Sequence, residues 1–197
     1  NIPREGLDAP ELYSILAECY CKTAGVEESI RYFTVLCHRN PLNPNVWYGL
    51  SLVYWEARRY GNVEIYLEKA LQLSPNCINY RQAQISALVL LRRFREAVQL
   101  SNSTLRLSDD MGIPARAVQI FHSLAYSQIQ LREFGRADSV LQTGIGTAKK
   151  FGYRSSLGWL SVLRSNLCYL TARYDESLML AKDARLQAEV VGDTALS

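Results

Sequence analysis

Few side chains in this sequence are of the types that carry chemistry, and their spacing argues against most reactions. His38 and His122 are the only histidines, and they are far apart along the chain. A serine or cysteine nucleophile needs a neighbouring base that is itself oriented. No HExxH, GxSxG, Walker loop or paired-cysteine motif supplies such an arrangement. Cys19, Cys21, Cys37, Cys77 and Cys168 form an odd set without CxxC spacing. Cys19 and Cys21 are two apart, which on a helix turns them to different faces and makes joint metal ligation awkward. They read as small buried hydrophobes in a reducing compartment. The stretch "GIGTAKK" (144–150) has two glycines of a phosphate loop but follows a helical pattern and lacks the Gly-Lys-Ser/Thr ending. Gly144 instead falls where a helix needs a small packing residue. The sequon "NST" (102–104) lies inside a helical pattern that should bury Thr104. Carboxylates in "GVEESI" and "YDES" sit where helix starts favour them. The expectation is no enzyme, no metal and no cofactor.

Composition sets the frame for what remains. The 197 residues are 48% hydrophobic and 21% charged, enough to bury a substantial core. Twenty-two basic against 19 acidic residues give +3, too mild by itself to argue for nucleic acid or a membrane surface. Most of the basic residues are Arg, suited to forked contacts with carboxylates. The longest apolar run, "ISALVLL" (85–91), is far short of a bilayer span. No signal peptide is legible, and the chain opens on Asn rather than Met, as a piece of a longer protein does. The expected compartment is intracellular, cytoplasmic with the nucleus left open.

The large apolar residues are spent on a repeat. In the run 44–77, Trp47, Leu50, Tyr54, Tyr60, Val63, Leu67, Ala70 and Pro75 stand at offsets 4, 7, 11, 17, 20, 24, 27 and 32. Moving the template back 34 residues gives Tyr13, Leu16, Tyr20, Val26, Ser29, Phe33, Leu36 and Pro41. Moving it forward 34 places Leu88, Phe94, Ala97, Ser101 and Thr104 on its positions. Apolar residues at three- and four-residue intervals give each half one buried helical stripe. After 107–114 the aromatic that opens each second helix recurs at a 40-residue spacing, Phe94, Phe134 and Tyr174.

The pattern "W..L...Y.....Y..V...L..A....P" in 44–77 resembles the tetratricopeptide repeat, with Ser51 where that family usually has Gly or Ala. The resemblance covers residues 10–197. It implies an all-α solenoid of about five antiparallel helix pairs forming a right-handed superhelix. Residues 1–9 read as a lead-in, 10–111 as three 34-residue units, and 112–197 as two longer units of one continuous solenoid. Lone helix pairs leave an apolar face uncovered, so stacking neighbours is what stabilises such a chain. A further subunit or further repeats are expected over the C-terminal end.

The same resemblance implies a concave groove lined by the first helix of each unit. Carried over offset by offset, the expected partner-binding residues are Tyr48, Leu52, Trp55, Gln82, Ser86, Gln119, His122, Tyr126 and Asn166. Ser14, Glu18, Cys21, Asn45, Glu56, Asn79, Val89, Ile129, Trp159, Val162 and Tyr169 fall on equivalent offsets, some packing between repeats instead. The carboxylate clamp of the chaperone-binding branch is expected to be absent, since a negatively charged terminus would meet Glu18 rather than a cation. A second surface is suggested by Arg58, Arg59, Arg92, Arg93, Arg132 and Arg173, which recur at the turns between helices. They could form a basic edge for an acidic polymer, or simply meet the carbonyl ends of helices. The expected function is a scaffold that binds a protein or peptide, with a regulatory or sensor arm as the alternative. Nucleic acid and membrane insertion are not expected.

Overall fold

The computed structural model describes residues 9–113 and 118–191, with side chains to 186. Ten helices and no strand occur among them. They are α1 (Pro10–Thr23), α2 (Val26–Arg39), α3 (Pro44–Glu56), α4 (Tyr60–Leu73), α5 (Ile78–Leu90), α6 (Phe94–Asp110), α7 (Val118–Gln130), α8 (Phe134–Phe151), α9 (Arg154–Leu170) and α10 (Tyr174–Val191). The chain divides into two compact units, Asn1–Leu91 and Arg92–Ser197.

In the first unit, the repeat template becomes core. Ala17, Phe33, Cys37, Val46, Leu50 and Val53 form one buried cluster from α1, α2 and α3. Val63, Leu67 and Ala70 of α4 join Tyr48, Tyr80 and Ala87 in a second. Pro10 and Pro44 each open a helix, where a missing N–H costs nothing. Pro41 and Pro75 lie just beyond the ends of α2 and α4. Gly49 lets α2 approach α3: an added Cβ would lie 2.9 Å from Phe33 Cδ1. The 34-residue period also repeats a side-chain contact. Tyr20 stacks on Tyr32 at 4.2 Å between centroids, and Tyr54 stacks on Tyr66 at 5.1 Å.

In the second unit, α8 is buried through Ala137, Leu141, Gly144 and Ala148, a stripe of small residues with one leucine. Val118, Ala125 and Ile129 of α7 and Leu160, Leu163 and Leu167 of α9 complete that core. Gly144 is a packing residue: an added Cβ would lie 2.8 Å from Phe121 Cβ and 3.3 Å from Leu160 Cδ1. The sequon threonine, Thr104, is buried in α6 and donates to the Leu100 carbonyl at 2.7 Å. The helix α9 starts at Arg154, directly after Gly152 ends α8 at φ 72 and turns the chain at once.

The turns between paired helices share one backbone device. Arg58, Arg92, Arg132 and Ala172 all have positive φ, between 56 and 62 degrees. At Arg58 and Arg59 the N–H groups donate to the Trp55 and Tyr54 carbonyls, which closes α3 as a Schellman motif. Arg132 and Glu133 close α7 in the same way, and Ala172 and Arg173 close α9. Glycine is the residue that adopts this conformation freely, and a side chain there costs about 1 kcal/mol or more.

Candidate partner-binding surfaces

The first helices of the opening unit are α1, α3 and α5, and their inward residues are largely covered. Tyr48 is only 8% exposed, with its ring 4.9 Å from that of Tyr80. The Tyr80 hydroxyl donates to Asn45 Oδ1 in the same buried layer. Above them, Asn79 Nδ2 donates to Glu11 Oε1 at 3.0 Å, joining α5 to α1. Burial pushes the Tyr48 phenol up to about 12 and the Tyr80 phenol higher still. Tyr48 thus departs from its expected place in an open trough, because the starts of α1 and α5 converge over it. Leu52 and Trp55 are half-buried against the same cluster, with Trp55 edge-on to Tyr60 at 5.6 Å. Gln82, Ser86 and Val89 are half-buried on α5, and Ser14 and Cys21 on α1, whereas Glu18 is exposed and paired with Lys22.

Equivalent positions in the second unit are open. Tyr126 on α7 is 37% exposed, and Trp159 and Tyr169 on α9 are 43% and 66% exposed. Gln119 and Asn166 are exposed, while His122 and Val162 are half-buried. Ile129 alone among the expected residues here is core. Burial disfavours the imidazolium of His122 and lowers its pKa, so the ring is neutral at neutral pH. The Tyr126 ring meets Phe94 edge-on at 6.2 Å, and Tyr169 meets Tyr174 at 5.6 Å. The helix α7 contains no charged residue. On α9 the charges are Arg154 at its first residue and Arg164, and Arg164 is bound to Asp138 and Glu176.

The turn arginines are mostly engaged locally. Arg59 pairs with Glu27, Arg93 with Glu96, and Arg173 with both Asp138 and Glu176. Arg92 and Arg132 lie over the rings of Phe94 and Phe134, 5.8 and 5.9 Å from the centroids. Arg58 is exposed at the positive-φ position of its turn. Turn chemistry and neighbouring acids therefore account for most of this set.

Three features were not read from the sequence. Arg164 and Arg173 clamp Asp138 and Glu176 into a half-buried cluster that ties α8, α9 and α10 together. The 40-residue repeat gave no hint of it, since the carboxylate at 138 has Leu178 as its counterpart. Tyr169, Leu170, Tyr174, Leu178, Met179 and Leu186 leave large apolar surface exposed at the end of α9 and along α10. Polar residues occupy the positions in α8 that match Leu178 and Met179, a contrast visible in the sequence once the register is fixed. Among the cysteines, Cys37 and Cys168 are buried as expected, Cys21 and Cys77 are half-buried, and Cys19 is exposed. Among the described residues no cluster suited to a metal ion occurs, and no helix is long and apolar enough to cross a membrane.

No protein-family model and no curated protein matches the sequence. Solved structures do match its fold. The apo form of RapI superposes with a TM-score of 0.79 at 13% identity, over 93% of this chain and 72% of that one. Aspartyl phosphate phosphatase F from Bacillus subtilis gives 0.82 at 10% identity over 95% of this chain, which spans about half (52%) of that protein. YrrB, a TPR protein with an unusual peptide-binding site, gives 0.63 at 13% identity over 98% and 92% of the two chains. The chain has the tetratricopeptide-repeat fold.

Proposed function

We propose that this chain is a non-enzymatic interaction module that holds a polypeptide partner against the exposed sides of its first helices. The observation that carries the reading is the run of exposed aromatic and amide side chains at matching offsets, Tyr126 with Asn166 and Gln119 with Trp159. Aromatics give large contact area at low entropic cost, and amides pair with a peptide backbone in either polarity. The groups closest to those of a reactive site are used in packing: His122 is half-buried, and Gly144 fills a helix contact. The likeness to YrrB, a protein with a peptide-binding site, supports the same reading by analogy of fold.

Site-specific photo-crosslinking tests it. A benzophenone amino acid at Asn166, on a first helix, is compared with one at Gln142, an exposed position of α8. Crosslinking of a polypeptide at 166 and not at 142 is the expected result. Adducts at 142 alone would move the site to the second helices and end this reading.

The regulatory alternative is favoured by one observation, the match of this chain to about half (52%) of an aspartyl phosphate phosphatase. In that case the same surface would hold a segment of a signalling partner, and the crosslinked species would be a component whose activity changes on binding.

A further inference from the structure

We infer, resting on the polypeptide-binding reading, that the bound segment carries no charged side chains where it touches the protein and that it seats on the second unit. The first part follows from electrostatics. On the first-helix side of α7 and α9, Tyr126, Trp159, Asn166 and Tyr169 are exposed and His122 and Val162 are half-buried beside them. None of these is charged once burial keeps the His122 ring neutral. Arg154 and Arg132 lie at helix ends and turns, outside these stripes, and Arg164 is spent on Asp138 and Glu176. A partner carboxylate or ammonium set over this surface would lose water and meet no counter-charge among the described residues of these two stripes. Amide and hydroxyl groups lose less and find Asn166 and the ring hydroxyls.

The second part follows from comparing offsets. Asn45 and Tyr48 are 6% and 8% exposed, and the Glu11–Asn79 hydrogen bond joins the helices on either side of them. Their counterparts on α9, Trp159 and Val162, are not sealed in this way. The same sequence positions are therefore floor in one unit and surface in the other. From Trp159 to Tyr169 the helix rises about 15 Å, which an extended chain crosses in about five residues. The occupant is a short extended segment of aliphatic, aromatic and amide residues.

The test is a selection from a randomised peptide library about ten residues long, displayed against the 197-residue chain. Enriched peptides are remeasured by fluorescence anisotropy. Their consensus should lack Asp, Glu, Lys and Arg. Binding should weaken at least about tenfold in Tyr126→Ala/Trp159→Ala and in Asn166→Glu, and stay within about twofold in Gln142→Glu on α8. It should change less than about twofold between roughly 50 and 500 mM salt. Circular dichroism establishes that each variant keeps its helicity, and exposed Asn166 serves if the aromatic pair does not. A charged consensus that still depends on Tyr126 and Trp159 would overturn the charge assignment and leave the polypeptide reading standing. Sensitivity to Gln142→Glu alone would overturn the location. No enrichment at all would remove both readings. A dimer in sedimentation that Asn166→Glu dissolves would make a second copy of this chain the occupant, and that also overturns the inference.

Discussion

Two glycines of α8, two residues apart, should respond to the same substitution with opposite sign. Gly146 is exposed, and nothing lies within 4 Å of an added Cβ. Gly146→Ala therefore brings only the intrinsic helix preference of alanine, a gain of about 1 kcal/mol. Gly144 is buried at the meeting of α7, α8 and α9. Its added Cβ would approach Phe121 Cβ to 2.8 Å and Phe121 Cγ to 3.1 Å, with Leu160 Cδ1 at 3.3 Å. The leucine methyl can rotate away, but Phe121 Cβ is fixed to its backbone and moves only with α7. Overpacking of that kind costs about 1–3 kcal/mol. Set against the same alanine gain, Gly144→Ala should destabilise by a net of up to about 2 kcal/mol. The two variants should thus differ by about 1–3 kcal/mol, readable as opposite shifts of the urea midpoint followed by far-ultraviolet circular dichroism. Equal stabilisation by both would show that α7 does not lie this close to α8. The packing account of "GIGTAKK" would then fail.

Other consequences can be checked with the same protein. Ala172→Gly should stabilise by about 0.5–1 kcal/mol, because it removes a positive-φ side chain that makes no ring contact; Arg132→Gly should gain less, since it also forfeits the Phe134 contact. Burial alone would raise the Asp138 carboxyl, but hydrogen bonds from Arg164 and Arg173 outweigh it and hold the group below its ordinary range. A lowered folded pKa means stability that is present above the unfolded value near 3.8 and lost as pH falls through the folded one. Asp138→Asn should therefore cost about 1–2 kcal/mol at pH 7 after allowance for partial exposure, and the difference from wild type should shrink in acid below about pH 4. Thiol labelling of the folded protein should modify Cys19 first and leave Cys37 untouched, because burial pushes the Cys37 thiol up to about 12. Rapid native labelling of Cys37 would place it outside the core.

Much of this protein was legible in its sequence, for a definite reason. Helix pairs are local objects, and the spacing of Trp47, Leu50, Tyr54, Tyr60, Val63, Leu67 and Ala70 fixes which face of each helix must be buried, whatever lies beyond it. The prolines at 41 and 75 mark where α2 and α4 end. Gly144 and Thr104 could be assigned to packing from their offsets alone, and both are buried. The turn arginines were also visible as a set, although not the positive φ that Arg58, Arg92 and Arg132 adopt.

Openness of the surface was decided only by tertiary structure. Tyr48 and Val162 hold the same offset, yet one is sealed beneath α1 and α5 and the other is partly bare. An offset sets the direction of a side chain about its own helix axis. It does not set how closely the neighbouring helices draw together, which depends on side chains up to 68 residues away, as in the bond from Asn79 to Glu11. The clamp of Asp138 by Arg164 and Arg173 is of the same kind, spanning 26 and 35 residues. Periodicity determined what this chain buries, and long-range convergence of helices determined what it leaves available to a partner.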